Sequence, residues 1–109
     1  MNLTHEKCAP CDGGVQPLNE EEVAKLLPEV KDWQVLENKK ISKKFKFKDF
    51  VEAIGFINNI VPIAEEEGHH PDFEVHYNRV TVILWTHVIK GLSKNDFIMA
   101  AKIDSISEK

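Results

Sequence analysis

Hydrophobic and polar residues recur with two different periods along the chain, and each change of period marks a new element. Asn19, with Glu22 three residues later, forms a capping-box pattern, and Pro28 ends the helix that follows it. Apolar residues then recur at alternate positions between 33 and 47, on both sides of the polar turn at 37–40. This part of the chain therefore predicts a helix followed by a β-hairpin.

The segment from 49 to 67 carries the clearest helical pattern. Asp49 is its expected N-cap, Glu52 completes the capping box, and Gly68 is the expected stop. Pro62 lies inside the pattern, so we expect a kink or a loosened final turn. The apolar stripe predicted to be buried consists of Phe50, Ile54, Ile57, Val61 and Ala64.

Two β-type runs follow, 72–77 and 79–87, which meet in a short turn at 78–79. Ser93 as N-cap and Asp96 at the third helical position then open a last helix. The apolar run directly after Asp96 predicts that this helix is buried on many sides.

The complete order is α-β-β-α-β-β-α. Two hairpins separated by helices favour an α+β domain, in which a four-stranded antiparallel sheet has three helices packed on one face. Such a sheet leaves its edges and its second face uncovered, so we expect self-association.

The composition is that of an ordinary globular domain: of 109 residues, 42% are hydrophobic and 29% are charged. The net charge of −4 argues against broad binding of nucleic acid. No apolar run approaches the ~20 residues that span a membrane, and no secretory signal is visible, so we expect a cytoplasmic protein. Six lysines between 39 and 48 predict a solvated strand face, with an anion-binding patch as the alternative.

Residues 1–17 are expected to form an N-terminal tail ahead of a domain formed by 18–109. The tail carries Cys8 and Cys11 in a CxxC spacing, with His5 three residues before Cys8. No other cysteine exists to complete a zinc ribbon, and a tail rich in proline and glycine does not fit a thioredoxin-type redox site. We therefore expect a tail that is loosely ordered or held by a short-loop disulfide. Zinc bound by these three side chains is the alternative.

Three of the five histidines converge if the second hairpin forms as predicted. His69 and His70 lie in the connection between a helix and a strand, and His87 ends the last strand. Pairing across the turn sets residue 72 roughly opposite residue 85, which brings His87 beside the other two. Such a cluster suits general acid–base chemistry, and a three-histidine zinc site or simple solvation are the alternatives. Adjacent histidines diverge on an extended backbone, which disfavours the zinc site.

Two carboxylates lie close in sequence to these histidines or to the helix that follows them, and only Glu65 is a candidate to support a histidine. Glu65 lies four residues before His69 and is either a hydrogen-bond partner of a histidine or a solvent-facing member of an acidic run. Asp96 has a sufficient role in capping its own helix with Ser93.

The spacing of these residues is similar to a known signature. The pattern E-x-x-x-H-H-P at 65–71, followed by Tyr77, His87 and Asp96, resembles that of the pterin-4a-carbinolamine dehydratase family, over residues 18–106. The resemblance implies the same fold and an enzyme that removes water from 4a-hydroxytetrahydropterin to give quinonoid dihydropterin. This reaction recycles the pterin cofactor of aromatic amino acid hydroxylases. The resemblance implies neither a metal nor an organic cofactor, because one acid and one base suffice.

The resemblance also implies which residues act. His69, His70 and His87 would be the catalytic histidines, with His69 and His87 as the acid–base pair and His70 holding the pterin. Gly68 departs from the family, in which many animal members carry an acidic residue at this position, and Phe73 stands where tryptophan is common. The pterin-contacting set would be Glu65, His69, His70, Pro71, Phe73, Thr86, His87, Val88, Ile89 and Asp96.

The partners implied are a pterin as small-molecule substrate and further copies of the chain in a homodimer or homotetramer, with no direct contact to nucleic acid or membrane. The alternative function is that of a non-catalytic, dehydratase-like protein, which serves as a transcriptional coactivator, dimerisation factor or assembly factor. Relatives that lose catalysis are expected to lose histidines, so the three histidines of this chain favour the enzyme.

Overall fold

Three α-helices and four strands alternate in the computed structural model, which describes residues 3–8 and 16–107. The elements are α1 (Glu20–Leu26), β1 (Gln34–Leu36), β2 (Lys40–Lys46), α2 (Phe50–Glu67), β3 (Asp72–His76), β4 (Arg79–Leu84) and α3 (Lys94–Ser107). Short 3₁₀ turns lie at Leu3–His5, Leu27–Glu29 and His87–Ile89. The predicted order α-β-β-α-β-β-α is confirmed.

The four strands form one antiparallel sheet in the order β1-β2-β4-β3. At its centre, Ile41 of β2 lies opposite Leu84 of β4, and Phe45 lies opposite Val80. All four side chains are buried, and α3 is buried throughout residues 97–101, as predicted. Both α2 and α3 contact β4, so the α+β fold is confirmed. Within the described ranges, no helix combines the length and apolarity of a membrane span.

Local sequence signals determine where the first two helices begin. Asn19 and Glu22 form a reciprocal capping box at the start of α1. Asp49 caps α2 by accepting the backbone N–H of Glu52 at 2.9 Å. The Glu52 carboxylate accepts the N–H of Lys48 at 3.1 Å, so it holds the residue before the N-cap.

The buried face of α2 is rotated relative to the prediction, which is wrong for Phe50 and Val61. These two side chains are about half exposed, at 50% and 48%. Phe56 instead turns inward and packs against Phe45 and Phe47, with ring centroids 4.7 and 4.9 Å apart. Contact with these aromatic rings, which the sequence pattern does not reveal, decides the orientation of the helix. The residues that α2 buries are Ala53, Phe56, Ile60 and Ala64.

One member of the lysine run is not solvated, contrary to the prediction. The Nζ of Lys43 lies 2.8 Å from Oδ1 of Asp104 on α3, 61 residues away in sequence. The same carboxylate accepts from Trp33 Nε1 at 3.1 Å and from the backbone N–H of Lys31 at 3.3 Å. Both members of the ion pair are largely buried. This cluster joins α3 to β2 and to the segment before β1.

The second hairpin turns one residue earlier than predicted. Its two-residue loop is Tyr77–Asn78, so Asp72 lies opposite Ile83 rather than opposite residue 85. Asn78 accepts the backbone N–H of Phe47 at 2.8 Å and donates its side-chain amide to the carbonyl of Phe47 at 2.9 Å. These long-range hydrogen bonds hold Asn78 in the loop and fix the register.

Gly68 ends α2 in the left-handed conformation, with φ of 66°. The helix runs through Pro62 to Glu67, and the N–H of His69 then bonds to the carbonyl of Ala64 at 3.2 Å. Gly68 therefore directs the two histidines away from the helix axis.

Replacing Gly68 by alanine is expected to lower the free energy of unfolding by about 1–2 kcal/mol, because an L-residue is strained in the left-handed region. Gly55 is the matched control: it lies within α2, and an added Cβ would meet nothing within 4 Å. Gly55→Ala is expected to raise the free energy of unfolding by about 1 kcal/mol. Urea unfolding followed by circular dichroism measures both changes, and changes of the same sign would contradict this assignment.

Candidate functional site

One cleft of about 530 Å³ lies where the end of α2, the end of β4 and the start of α3 meet. This volume is typical of small-molecule sites. His69, His70 and His87 all line the cleft, as the hairpin argument predicted, although the register is shifted. The other lining residues are Cys8, Glu67, Gly68, Trp85, Thr86, Val88 and Asn95.

His69 is the most enclosed of the three histidines, with 11% of its side chain exposed. Its Nε2 lies 2.6 Å from Oδ1 of Asp96, which is fully buried. An ionised carboxylate only accepts hydrogen bonds, so Nε2–H donates to Asp96, and in the neutral imidazole Nδ1 then carries the lone pair.

Asp96 is held by two further donors, both on Oδ2. The Thr86 hydroxyl and the Ser93 backbone N–H each donate to this oxygen at 2.9 Å. The hydroxyls of Thr86 and Ser93 lie 2.8 Å apart, so the Ser93 side chain bonds to Thr86. Asp96 therefore holds the start of α3 and orients His69 with the same carboxylate.

His70 is more exposed, at 62%, and its Nε2 lies 2.6 Å from Oε2 of Glu65. Glu65 belongs to the last turns of α2. The chain reverses direction at Gly68, and this reversal brings His70 back against Glu65. The structure thus pairs Glu65 with the second histidine of the motif.

His87 follows the end of β4 and is 58% exposed. Its Nε2 lies 3.9 Å from Oδ2 of Asp72, beyond hydrogen-bond distance. The imidazole packs against the indole of Trp85 with ring centroids 4.2 Å apart, and Trp85 Nε1 donates to Asp72 Oδ2 at 3.1 Å. Lys40 Nζ lies 4.6 Å from the centroid of the same indole. The packed rings of His87 and Trp85 therefore line one side of the cleft.

Half of the predicted pterin-contacting set lines the cleft. Glu65 and Asp96 are outside its lining and act on it through His70 and His69. Pro71 is also outside the lining. Phe73 packs against the core and Ile89 is buried, since both side chains point inward. The predicted residues that line the cleft are His69, His70, Thr86, His87 and Val88.

The sequence prediction missed two residues of the cleft, Cys8 and Glu67. The backbone N–H of Cys8 donates to Oε1 of Glu67 at 2.7 Å, and Cys8 Sγ lies 3.7 Å from the carbonyl oxygen of Asn95. Burial raises the pKa of the Cys8 thiol to about 12, and the Glu67 carboxylate adds to this effect. The hydrogen bond from the Cys8 N–H is the main reason why the pKa of Glu67 is lowered.

The expectation of a loosely ordered tail is wrong for residues 3–8. Leu3 is buried, and the 3₁₀ turn that it opens packs against α3. Cys11 lies outside the described residues, and with it the predicted disulfide and the zinc alternative. Among the described side chains, no group of three or more potential ligands is arranged to hold a metal ion.

A family model described as pterin 4 alpha carbinolamine dehydratase matches residues 16–106, which include the whole histidine cluster. The chain belongs to the pterin-4-alpha-carbinolamine dehydratase family. The matched range contains six of the seven main elements completely and α3 up to its last residue but one, and Cys8 lies before it.

Individual relatives of the dehydratase match over most of the chain. A protein of Rickettsia canadensis that carries the name of a pterin-4-alpha-carbinolamine dehydratase is 50% identical over 104 residues, which cover 94% of this chain and 95% of that protein. The crystal structure of a transcriptional coactivator/pterin dehydratase from Brucella melitensis is 38% identical, with a TM-score of 0.78 over 84% of this chain and 98% of that one.

A more distant structure shares the fold alone. A pterin dehydratase-like protein, identified as a RuBisCO assembly factor in the alpha-carboxysome, is 20% identical with a TM-score of 0.57. It covers 69% of this chain, and 86% of its own chain is matched.

Proposed function

We propose that this dehydratase removes water from a 4a-hydroxytetrahydropterin to give the quinonoid dihydropterin, and thereby recycles the pterin cofactor of aromatic amino acid hydroxylases. The observation that carries the proposal is the grouping of three histidines, each near its own carboxylate, around one cleft. Family membership supports the substrate class, because the family is described by this reaction.

Dehydration of the carbinolamine requires two proton movements. A base removes the proton from N5, and the electrons of that N–H bond form the C4a=N5 double bond. The C4a–O bond breaks at the same time, and an acid gives its proton to the departing oxygen, which leaves as water. A matched acid and base on opposite sides of this bond system supply the catalysis.

His69 is the proposed base. Its proton is held at Nε2 by the buried Asp96 carboxylate, so Nδ1 offers a lone pair to the N5 proton. The imidazolium formed by this transfer is stabilised by the same carboxylate. The proposed acid is His87, whose ring is exposed and whose Nε2 lies 3.9 Å from Oδ2 of Asp72. His70, oriented by Glu65, donates to the polar edge of the pterin, which packs on the indole of Trp85.

The test is an assay in which a hydroxylase generates the 4a-carbinolamine in situ and quinonoid product is followed by absorbance. The rate of dehydration is expected to rise in proportion to the concentration of this protein. It should be unchanged when this protein is treated with a metal chelator and freed of the chelator before the assay, since the proposed chemistry uses imidazoles alone. Heat-denatured protein is the control. A rate equal to the uncatalysed one would refute the proposal, and loss of activity in the chelator-treated protein would favour the zinc alternative.

A second candidate, a non-catalytic binding role, is favoured only by the name of the Brucella relative, which joins coactivator to dehydratase. The enclosed contact between His69 and Asp96 argues for the enzyme, because a docking surface does not require a buried carboxylate aimed at an imidazole.

Self-association into a homodimer or homotetramer remains part of the proposal. Phe50, Val51 and Val61 are exposed apolar side chains on α2, and β3 is an edge of the sheet. Exposed apolar patches and open strand edges both favour pairing with another chain. Light scattering gives the mass directly, and a monomer at all concentrations would contradict this part.

A further inference from the structure

The segment Leu3–Cys8, here called the N-terminal segment, is fixed against the body of the domain at several points. Leu3 is 2% exposed and anchors it among the core residues. Glu6 pairs with Lys94 of α3 at 2.7 Å, and Lys7 pairs with Glu66 of α2 at 3.1 Å. The segment therefore spans the two helices whose ends border the cleft.

The strongest tie is made by Glu67, the residue before the Gly-His-His turn. Its side chain is only 3% exposed, and its two oxygens are divided between two partners. Oε1 accepts the backbone N–H of Cys8 at 2.7 Å, and Oε2 lies 3.4 Å from Nζ of Lys102. A buried carboxylate bound to a backbone N–H is a strong, directional contact. Cys8 itself also reaches the Asn95 carbonyl, one residue before Asp96.

We propose that the N-terminal segment forms one wall of the pterin cleft and that Glu67 is the positioning residue that holds this wall beside His69. The inference rests on the proposed function for the identity of the ligand. Cys8 lines the same cleft as the three histidines, so a flat heterocycle bound there lies against the segment.

The wall is expected to act on binding and not on proton transfer. The thiol of Cys8, with its pKa raised to about 12 by burial, neither gives nor takes a proton near neutral pH. A contact that is equally favourable in the ground state and the transition state changes KM and leaves kcat unaltered. The wall also shields one side of a cleft whose other histidines, His70 and His87, are largely exposed.

The kinetic test compares Glu67→Ala with two matched variants. Loss of one charge-assisted hydrogen bond is expected to raise KM for the carbinolamine about tenfold in Glu67→Ala, with kcat retained. Glu67→Gln keeps an oxygen acceptor for the Cys8 N–H and is expected to recover most of the affinity. Lys102→Gln removes the charge of the other partner of Glu67 and leaves the hydrogen bond from the Cys8 N–H in place, so its KM should equal that of wild type. Unchanged KM in Glu67→Ala, or an equal rise in Lys102→Gln, overturns the proposal.

Thiol labelling tests the wall without measuring activity. In a Cys11→Ser background, Cys8 is the single thiol, and its alkylation by iodoacetamide at pH 7.5 is expected to be at least about 100-fold slower in the folded protein than in denaturant. Glu67→Ala should speed labelling of the folded protein, and saturating 7,8-dihydrobiopterin should slow it further.

The two proposals fail in different ways. An active dehydratase whose Cys8 reacts as fast as an unfolded thiol, or is not protected by a dihydropterin that inhibits it, overturns the wall alone. A protein with a slowly labelled Cys8 but no dehydratase activity and no dihydropterin protection overturns the proposed function and, with it, the role of the wall in binding pterin.

Discussion

Replacing His69 by glutamine is expected to lower kcat for carbinolamine dehydration by about 10²- to 10⁴-fold, the range that a positioned acid or base contributes. The glutamine amide reaches the place of imidazole Nε2 and donates to Oδ1 of Asp96, so the buried hydrogen bond is kept. The lone pair at Nδ1 is lost. Quinonoid formation at saturating substrate measures kcat, and urea unfolding of the same sample reports whether the fold is intact.

Two controls separate chemistry from stability. His69→Ala loses the donor to Asp96 as well, so it should show the same fall in kcat and also lose about 1–3 kcal/mol of stability, because a buried acceptor is left unpaired. His76 on β3 is exposed, and His76→Gln should behave like wild type. A His69→Gln protein with the kcat of wild type would show that this imidazole is not the base.

Asparagine in place of Asp96 probes the same assignment through the tautomer. Because Thr86 and Ser93 both donate to Oδ2, the remaining oxygen of the asparagine faces them and its NH₂ group faces His69. His69 Nε2 must then accept, which moves its proton to Nδ1 and turns the base into a donor. We expect kcat to fall about 10- to 100-fold although every histidine is present. An unchanged kcat would mean that Asp96 only caps α3.

The elements of this fold could be predicted because their signals are local. The capping box of Asn19 and Glu22 and the N-cap of Asp49 each lie within four residues of the helix they start, and Gly68 directly follows the helix it ends. Alternation of apolar residues similarly identifies strands without reference to the rest of the chain. The order of elements, and from it the α+β architecture, follows from such signals.

The features that were predicted wrongly depend on contacts between distant residues. The register of the second hairpin is set by Asn78 binding to Phe47, 31 residues earlier. The orientation of α2 is set by the rings that surround Phe56. Neither contact leaves a periodic pattern in the sequence, so the pattern alone overestimates the burial of Phe50 and Val61.

The candidate site was also predicted only in part, and again the missed contacts join residues that are distant in sequence. The convergence of His87 with the histidine pair survives a shift of register by two residues, because all three lie at one end of the sheet. The contact between Cys8 and Glu67 joins residues 59 apart, and a Pro- and Gly-rich stretch between 9 and 17 gave no sign of it. Glu65 was the one carboxylate predicted to bond to a histidine. Asp96 was not, because its role as a helix cap already explained its position.

The largest expected effect on stability is at Asp104, which the sequence did not single out. Asp104→Ala is expected to lower the free energy of unfolding by about 3–5 kcal/mol, because removal of one partner leaves the other charge buried without compensation. Lys43 and Asp104 are only 15% and 11% exposed, and the same carboxylate also serves the N–H groups of Trp33 and Lys31. Such a loss is a large part of the roughly 5–15 kcal/mol that stabilises a domain.

Lys43→Met identifies which contact matters. The methionine fills the same space without a charge, and Asp104 keeps its two N–H donors, so this variant is expected to lose less stability than Asp104→Ala. In the double variant Lys43→Met/Asp104→Ala no ammonium is left unpaired, and the loss should be smaller than the sum of the single losses. Urea unfolding at neutral pH measures all three, with kcat expected to stay near wild type because the cluster is outside the cleft. Additive losses would mean that Lys43 reaches water on its own and that Asp104 stabilises the fold through Trp33 and Lys31 alone.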